Sequence, residues 1–322
     1  MESIVDIIMP VYNHERFLPL AIDSIVGQKT NFRFRLLIGE DYSTDSSRDI
    51  IKQYAALYPE IIYPIYHEQN VGAIGNNASI CALTTAKYVA VCEGDDYWIT
   101  QDKLQKQVDF LDNNSDYSLC FTEVEVINEL GDKYYTPTAF LNFDRDTYTI
   151  EDIITHPPDR PLSIPMMTAL FRNVLPNPLP DYHMKAIQGD TAATLLLGMH
   201  GKYKHLPEVT AAYRQHTGGI TKSKEFQFKF DRSMFDLMDN FNEYSHHKYH
   251  KAIQQKLYPL SQMLLMYGSS LLTGKERKAH IDRMMKGYKK YRPQVNMKEA
   301  IYYTIALHFP FLLKWYKSFQ GK

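Results

Sequence analysis

The densest group of potentially reactive side chains in this 322-residue sequence is a pair of adjacent aspartates, Asp95 and Asp96, which follow Glu93. They come directly after Tyr88–Cys92, an apolar run that predicts a buried strand. Carboxylates held this close raise each other's pKa or require a cation. Mg²⁺ binds one or two protein carboxylates and completes its shell with phosphate oxygens and water, so the pair predicts a metal that bridges to a nucleotide diphosphate. The alternative is an exposed turn in which one aspartate caps the helix that begins near Asp102.

A second acidic loop, Glu40–Asp45, also follows a predicted strand, Phe34–Gly39. A carboxylate accepts a hydrogen bond from the imino N–H of a pyrimidine, so Asp41 is the candidate for recognising a base. The alternative is ordinary capping of the next helix by Asp41, Ser43 or Thr44.

Short apolar runs alternate with helical patterns in the first 100 residues, and this alternation predicts how the two acidic loops are positioned. The predicted strands are Ile4–Val11, Phe34–Gly39, Ile61–Tyr66 and Tyr88–Cys92. Repeated strand–helix–strand units favour parallel pairing with right-handed crossovers, hence an α/β layered sheet. Ligands bind outside the carboxyl ends of such strands, so the following loops are expected to converge on one site. These loops are Pro10–Glu15, Glu40–Asp45, Glu68–Asn77 and Glu93–Trp98.

The later part of the chain has less regular patterns. Its predicted elements are the strands Tyr117–Ile127, Met166–Phe171 and Lys204–Tyr213, a turn at Glu129–Lys133, and a helix at Asp190–His200. From Lys224 onward, patterns rich in Lys, Met, Leu and Tyr predict long helices with breaks near Pro259, Gly274 and Pro293.

Composition narrows the class of protein. The chain is 44% hydrophobic, 23% charged and 13% aromatic, which predicts a soluble globular protein with a packed core. Three cysteines without paired spacing favour a reducing cytosol over a disulfide framework or a cysteine zinc site. No signal peptide and no uncharged apolar run of about 18 residues is recognised, so no membrane span is expected.

The C-terminal 49 residues, 274–322, are basic, with 12 Lys and Arg against three acidic residues. Because 300–316 is rich in aromatic and aliphatic residues, we expect an anionic membrane surface rather than nucleic acid as the partner of this tail. The alternative is a final core helix with a solvated basic face.

Five motifs, in this order and spacing, resemble the family 2 glycosyltransferases over roughly residues 3–220. They are Ile8–Asn13, Glu40–Asp45, Asn70–Asn77, Glu93–Trp98 and Lys103–Gln107. The resemblance implies a GT-A-type nucleotide-sugar-binding fold, with a mixed, mostly parallel central sheet that has helices on both faces. It also implies inversion at the anomeric carbon.

The resemblance further implies residue roles in binding a UDP-sugar with Mn²⁺ or Mg²⁺. Asp41 would recognise uracil, Glu93 would lie near the ribose and Asp96 would be the foremost metal ligand, with Asp95 beside it. The remaining nucleoside contacts would be Pro10, Val11, Tyr12, Glu15 and Asn77. Two departures stand out, since Tyr42 replaces a frequent Gly and Glu93 a frequent Asp.

Three later residues complete the expected site. Inverting transfer needs a base for the acceptor hydroxyl, and Asp190, at a predicted helix start, matches the family's acidic base. Arg214 suits a diphosphate and His216 a metal, in a segment that resembles the family's Tyr-Arg-x-His element. The alternatives are a plain helix N-cap for Asp190 and a surface position for His216.

These observations predict a metal-dependent inverting glycosyltransferase that adds one sugar to a cell-surface polysaccharide, such as capsule or lipopolysaccharide, or to a lipid-linked glycan. Single addition is favoured because neither tryptophan follows an arginine, as it would in the processive synthases' Gln-x-x-Arg-Trp element. The predicted domains are a glycosyltransferase domain at 1–222, with a nucleotide-binding half at 1–115 and an acceptor-binding half at 116–222, and a helical region at 223–322. The predicted location is cytoplasmic or peripheral at the inner face of the membrane.

Two other functions stay open. A sugar nucleotidyltransferase would need a Gly-rich basic triphosphate loop, whereas Pro10–Phe17 has no glycine and only Arg16 as a strong cation. A non-catalytic nucleotide-sugar-binding subunit, docked to a membrane enzyme through 274–322, is the other alternative.

Overall fold

The computed structural model describes residues 2–133, 143–156, 163–216, 224–272 and 274–292. The chain divides into two compact units. Unit 1 comprises residues 1–153, 160–185 and 189–220, and unit 2 comprises 154–159, 186–188 and 221–322.

Unit 1 begins with four parallel strands separated by helices. Its elements are β1 (Val5–Val11), α1 (Leu18–Val26), β2 (Phe34–Glu40), α2 (Ser47–Leu57), β3 (Ile62–Tyr66), α3 (Gly72–Cys81) and β4 (Tyr88–Val91). The strands β2 and β4 flank β1, with Val5 opposite Phe34 on one side and Tyr88 on the other. The four strands predicted from the apolar runs are confirmed to within a residue at either end.

The second part of unit 1 makes the sheet mixed. Its elements are β5 (Tyr97–Trp98), α4 (Lys103–Asn113), β6 (Tyr117–Ile127), β7 (Thr147–Tyr148), β8 (Leu170–Arg172), α6 (Asp181–Met184), α7 (Gly189–Gly198) and β9 (Lys202–Arg214). The helix α5 (Ile150–Thr155) lies between β7 and β8 in the chain, and its last two residues belong to unit 2. Across the described residues the order is β3-β2-β1-β4-β8-β6-β9-β5, and β7 pairs with β9. Because β5, β7 and β8 run antiparallel to their neighbours, the predicted mixed sheet is confirmed.

Alternation along β1 explains why both faces of the sheet are covered. Ile7 packs in a core with Leu18 of α1 and Leu104 of α4, whereas Ile8 packs on the other face with Ile80 of α3. Successive side chains of a strand point to opposite faces, so a continuous apolar run needs a helical layer on each side.

One predicted strand, Met166–Phe171, is wrong in part. Met166–Thr168 forms a 3-10 turn, and a strand follows only at Leu170–Arg172. The reason is local, because the N–H and the hydroxyl of Thr168 both donate to the carbonyl oxygen of Pro165, at 2.8 and 2.7 Å. These bonds close a turn and remove Thr168 from strand pairing.

Unit 2 contains the helices α8 (Lys224–Tyr244), α9 (His250–Leu271) and α10 (Gly274–Tyr291). The predicted break near Pro259 is wrong, since α9 continues through it. Leu257 and Leu260 are buried on either side of Pro259, and this packing outweighs the loss of one helical hydrogen bond, which costs roughly 3 kcal/mol. The break near Gly274 is confirmed, and Pro293 lies outside the described residues.

Three of the described helices, α8, α9 and α10, are 18 residues or longer. None of them combines the length with the apolar character that a membrane span requires.

Candidate active site

The last two residues of β1 hold the neighbouring loops through their carbonyl oxygens. The carbonyl oxygen of Pro10 accepts from the N–H of Gly94 at 3.2 Å, and that of Val11 accepts from the N–H of Asp41 at 3.0 Å. The loops after β2 and β4 are therefore drawn onto the end of β1. The loop after β3 joins them, because the N–H of Val71 donates to Asp41 Oδ1 at 2.7 Å. The predicted convergence of the four loops is confirmed.

Asp41 lies at the centre of this convergence and is only 2% exposed. One oxygen of the Asp41 carboxylate accepts from the N–H of Val71, and the backbone carbonyl oxygen of Asp41 accepts from Asn70 Nδ2 at 3.1 Å. The alternative that Asp41 caps α2 is wrong, because its carboxylate accepts a hydrogen bond from the loop after β3. Tyr12, on the adjacent loop, is 45% exposed and lies open to a ligand.

Capping of α2 by Ser43 or Thr44 is also wrong. The N–H of Ser47 donates to Asp45 Oδ1 at 2.9 Å, and the N–H of Ser46 donates to Glu15 Oε2 at 2.9 Å. Ser43 and Thr44 instead bond to Asn13 of the first loop. The carboxylate of Glu15, expected near the nucleoside, thus lies at the start of α2.

The neighbouring amides of α3 differ in environment. Asn77, expected near the base, is exposed. Asn76 is 2% exposed, and its Nδ2 donates to the carbonyl oxygen of Gly39 at 2.9 Å. A Cβ at Gly39 would lie 2.1 Å from Asn76 Oδ1, so this glycine allows α3 to approach β2.

Gly94 allows the acidic loop to pack against the first loop. A Cβ there would lie 2.8 Å from His14 Nδ1 and 2.9 Å from Val11 Cγ2. Real Cβ atoms do not come this close to neighbouring atoms, so only glycine fits without a shift of the loop. The glycine between Glu93 and Asp95 is therefore required by packing.

Asp96 is 4% exposed, and its Oδ1 accepts from the backbone N–H of Arg214 at 2.7 Å. Burial, followed by the charges of Asp95 and Glu93, raises its pKa well above the usual range. The alternative of an exposed helix-capping turn is wrong for this residue, because its carboxylate joins the acidic loop to β9.

Asp95 faces two imidazoles. Its Oδ2 lies 3.1 Å from His216 Nε2 and 3.9 Å from His14 Nε2. Its side chain keeps 22% of its surface exposed, and that of His216 keeps 17%. Burial lowers the pKa of His14 against the opposing effect of Asp95, which favours a neutral ring. Sequence reasoning missed His14, because nothing in its local sequence distinguishes it from a surface histidine.

Asp190 belongs to the same acidic cluster. It lies in the first turn of α7 with an exposed side chain, yet surrounding protein partly desolvates it and raises its pKa to about 6. Desolvation, and then the charges of Asp190 and Asp95, raise the pKa of Glu93 to about 8. The pKa of Tyr213 rises to about 12 through desolvation and then through the charges of Asp96, Asp95, Glu93 and Asp190.

Arg214 is 7% exposed, and backbone oxygens hold its guanidinium. Nε donates to the carbonyl oxygen of Asp95 at 3.0 Å, and Nη1 donates to that of Asn128 at 3.3 Å. The cation also lies 4.6 Å from the centre of the Phe17 ring. This arrangement makes Arg214 a support for the acidic loop, whereas sequence reasoning expected a diphosphate contact.

Lys103 is a second buried cation, 1% exposed, beside the acidic loop. Its Nζ donates to Gln107 Oε1 at 2.8 Å and lies 4.2 Å from the centre of the Trp98 ring. Burial lowers its pKa to about 7. This lysine belongs to the Lys103–Gln107 motif, but the motif predicts no role for it, because its burial depends on packing against distant parts of the chain.

The side chains around Asp95 determine whether a divalent cation fits at this site. Within the described ranges, no three His, Cys, Asp or Glu side chains form a metal-binding group. Asp95 and His216 together offer a carboxylate oxygen and an imidazole nitrogen, which suit Mn²⁺, and water or phosphate oxygens would complete its shell. Burial, and then the neighbouring carboxylates, raise the pKa of Asp96 and Glu93, and a nearby cation would relieve the repulsion between these groups.

Comparison with known proteins identifies the family. The family model described as Glycosyl transferase family 2 matches residues 6–176, more than half of the chain. The chain belongs to glycosyl transferase family 2. Among its relatives, the uncharacterized protein Rv1520 of Mycobacterium tuberculosis is 32% identical over 223 residues, 66% of this chain and 59% of that protein. The chain thus spans about three fifths of the length that this relative has.

Solved structures of other proteins share the fold. S. aureus TarS 1–349 in complex with UDP-GlcNAc has a TM-score of 0.65 at 16% identity, over 99% of this chain and 92% of TarS. The mannosyltransferase PcManGT from Pyrobaculum calidifontis, in complex with GDP-Man and Mn²⁺, has a TM-score of 0.52 at 16% identity, over 98% of this chain and 88% of that one. The predicted GT-A-type fold of this family 2 member is confirmed.

Proposed function

We propose that this protein transfers a single sugar, with inversion, from a UDP-sugar to a hydroxyl of a cell-surface polysaccharide or a lipid-linked glycan. The observation that carries the proposal is the convergence of Asp95, Glu93 and Asp190 beside His216 at the carboxyl edge of the sheet. An acidic cluster of this kind suits a metal-bound diphosphate next to a base.

Uridine selectivity is the first part of the proposal. The buried carboxylate of Asp41 has one oxygen on Val71, which leaves the other as an acceptor for the imino N–H of uracil. Tyr12 beside it offers an aromatic face. TarS, which has a similar fold, is crystallised with UDP-GlcNAc and supports this donor class.

Metal dependence is the second part. Asp95 and His216 would hold Mn²⁺ or Mg²⁺, with the buried Asp96 next to Asp95 in the chain, and the ion would neutralise charge on the departing diphosphate. The complex of PcManGT with Mn²⁺ supports a metal in this fold. Arg214 holds the carbonyl oxygen of Asp95 and so keeps the acidic loop in position.

Asp190 is the proposed base. Inverting transfer requires a carboxylate to accept the proton of the acceptor hydroxyl, opposite the leaving group. A pKa near 6 leaves Asp190 ionised at neutral pH but more basic than an ordinary aspartate. It lies in the proposed glycosyltransferase domain, residues 1–222, which precedes the proposed helical region at 223–322.

Transfer assays with matched variants test the activity. Wild-type protein with Mn²⁺ and the matching UDP-sugar should release UDP when an acceptor is present, and chelation of the metal should stop the release. Asp190→Asn should lower turnover by about 10²-fold or more while donor affinity stays near that of wild type. The control Asp181→Asn, at an exposed acid of α6, should turn over normally. Full turnover by Asp190→Asn would remove it from the mechanism, and UDP binding without turnover on any sugar would favour the non-catalytic alternative.

We further propose that the protein docks on the cytoplasmic face of the cell membrane. Helical spacing puts Lys275, Lys278, Lys286 and Lys289 on one face of α10, where all four are exposed together with Asp282. Residues 293–322, which carry the rest of the basic tail, lie outside the described residues. Each lysine near an anionic surface contributes about 1 kcal/mol.

Vesicle flotation tests this docking. Wild-type protein should bind vesicles that contain phosphatidylglycerol and should not bind pure phosphatidylcholine vesicles. Reversal of two charges, in Lys278→Glu with Lys286→Glu, should weaken partitioning about tenfold or more. The matched control, Lys29→Glu with Lys248→Glu, reverses two exposed lysines elsewhere. Equal partitioning of the two double variants would contradict docking through α10.

A further inference from the structure

Tyr42 has an unusual backbone conformation for a large side chain. Its φ is +59°, in the left-handed region that L-residues other than asparagine and aspartate seldom adopt. Its side chain is 50% exposed, so burial in the core does not compensate for this conformation.

Neighbouring loops impose the conformation. The N–H of Asn13 donates to Ser43 Oγ at 3.0 Å, and the N–H of Thr44 donates to Asn13 Oδ1 at 2.8 Å. On the other side, the N–H of Ser43 donates to Glu40 Oε1 at 2.6 Å, and Glu40 is fully buried. Hydrogen bonds on both sides therefore fix the segment that follows Tyr42.

The ring of Tyr42 is also positioned. The guanidinium of Arg48 lies 5.6 Å from its centre, a favourable cation–π separation. Arg48 is itself held by the carboxylate of Glu40 and by the carbonyl oxygen of His67, at 2.6 Å from Nη2. A fixed cation behind a half-exposed ring leaves the other face of that ring available.

Tyr42 and Tyr12 flank the candidate base-recognition residue. Asp41 directly precedes Tyr42, and its N–H bonds to Val11, which directly precedes Tyr12. Asp41 is buried, whereas the two tyrosines are 45% and 50% exposed. A buried carboxylate with an exposed tyrosine next to it on its own loop and another on the adjacent loop is suited to a planar base that hydrogen-bonds at its edge and packs on its faces.

We propose that Tyr42 forms a second aromatic wall of the nucleoside pocket and packs against the nucleoside of bound UDP. The proposal rests on the proposed donor site, and it gives a ligand-binding reason for an exposed tyrosine in a left-handed conformation. Stacking of a base on an aromatic side chain corresponds to about 10- to 100-fold in affinity.

Titration calorimetry with UDP and Mn²⁺ tests the proposal on the full chain. Tyr42→Gly should bind UDP about tenfold or more weakly, while its melting temperature stays equal to or above that of wild type, because glycine adopts a positive φ without strain. Tyr42→Phe should bind within about threefold of wild type. Pyrophosphate with Mn²⁺ should bind all three proteins equally, since it has no nucleoside.

Tyr63→Ala is the matched control. Tyr63 is 43% exposed and lies beside an arginine, Arg35, at 5.7 Å, but it is in β3 and away from the converging loops. This variant should bind UDP like wild type. Unchanged UDP affinity in Tyr42→Gly, with wild-type binding intact, would overturn the role of Tyr42 and leave the donor site standing. Failure of the wild type to bind UDP would overturn the donor assignment and this inference with it.

Discussion

Replacement of Gly94 by alanine tests whether packing against the first loop positions the acidic loop. The new Cβ would lie 2.8 Å from His14 Nδ1, 2.9 Å from Val11 Cγ2 and 3.3 Å from Leu18 Cδ1. Ordinary contacts between carbon atoms are about 3.5–4.0 Å, so the loop must move by roughly 0.6 Å or more. Val11 and Leu18 are buried and cannot yield easily. Overpacking of this kind costs about 1–3 kcal/mol of unfolding free energy.

Thermal unfolding and UDP–Mn²⁺ titration measure the two consequences. At about 2–4 °C per kcal/mol, Gly94→Ala should lower the melting temperature by roughly 2–12 °C. Displacement of Asp95 should also weaken metal-dependent UDP binding by about tenfold or more. The control is Gly189→Ala, because a Cβ at Gly189 meets no atom within 4 Å. If Gly94→Ala unfolds and binds like Gly189→Ala, the packing argument is refuted.

Three further predictions concern charges in unit 1. In the folded protein the pKa of Lys103 is about 7, below its usual 10.5. Between these two pH values the unfolded chain binds more protons than the folded chain, so the free energy of unfolding should rise with pH, by up to about 1.4 kcal/mol per pH unit. The free energy of unfolding of Lys103→Met, measured with urea, should lack this rise. The same pH dependence as in wild type would contradict the lowered pKa of Lys103. With Asp190 as base, kcat/KM should increase with pH through about 6, and an acid limb near 4 would contradict its raised pKa. Arg214→Met leaves buried carbonyl oxygens without a donor, so it should lower the free energy of unfolding by about 2 kcal/mol or more. Wild-type stability in a denaturant titration would contradict this prediction.

The first four strands and the converging loops could be predicted from local sequence because local chemistry determines them. The apolar runs at Val5–Val11 and Tyr88–Val91 need burial on both faces, which favours parallel strands under helices. Carboxyl ends of parallel strands share one edge, so the acidic loops after them could be predicted to meet. The same reasoning failed at Met166–Thr168, where one threonine bonds to a preceding carbonyl and turns the chain.

Individual roles at the site depend on contacts distant in sequence. Asp96 meets the backbone of Arg214, 118 residues further along the chain, and nothing in the acidic motif specifies that partner. His14 joins Asp95 only because Gly94 lets the two loops touch. Asn77 and Asn76 look alike in sequence, and the approach of α3 to Gly39 decides which of them is buried.

Metal-dependent UDP binding by wild type, Asp95→Ala and Asp49→Ala, measured calorimetrically with and without Mn²⁺, tests the central proposal most directly. Asp49 is a matched exposed acid on α2, with 74% of its side chain accessible. We expect Mn²⁺ to strengthen UDP binding in wild type and Asp49→Ala, and to have no effect on Asp95→Ala. An unchanged Mn²⁺ effect in Asp95→Ala would contradict a metal held by the acidic loop.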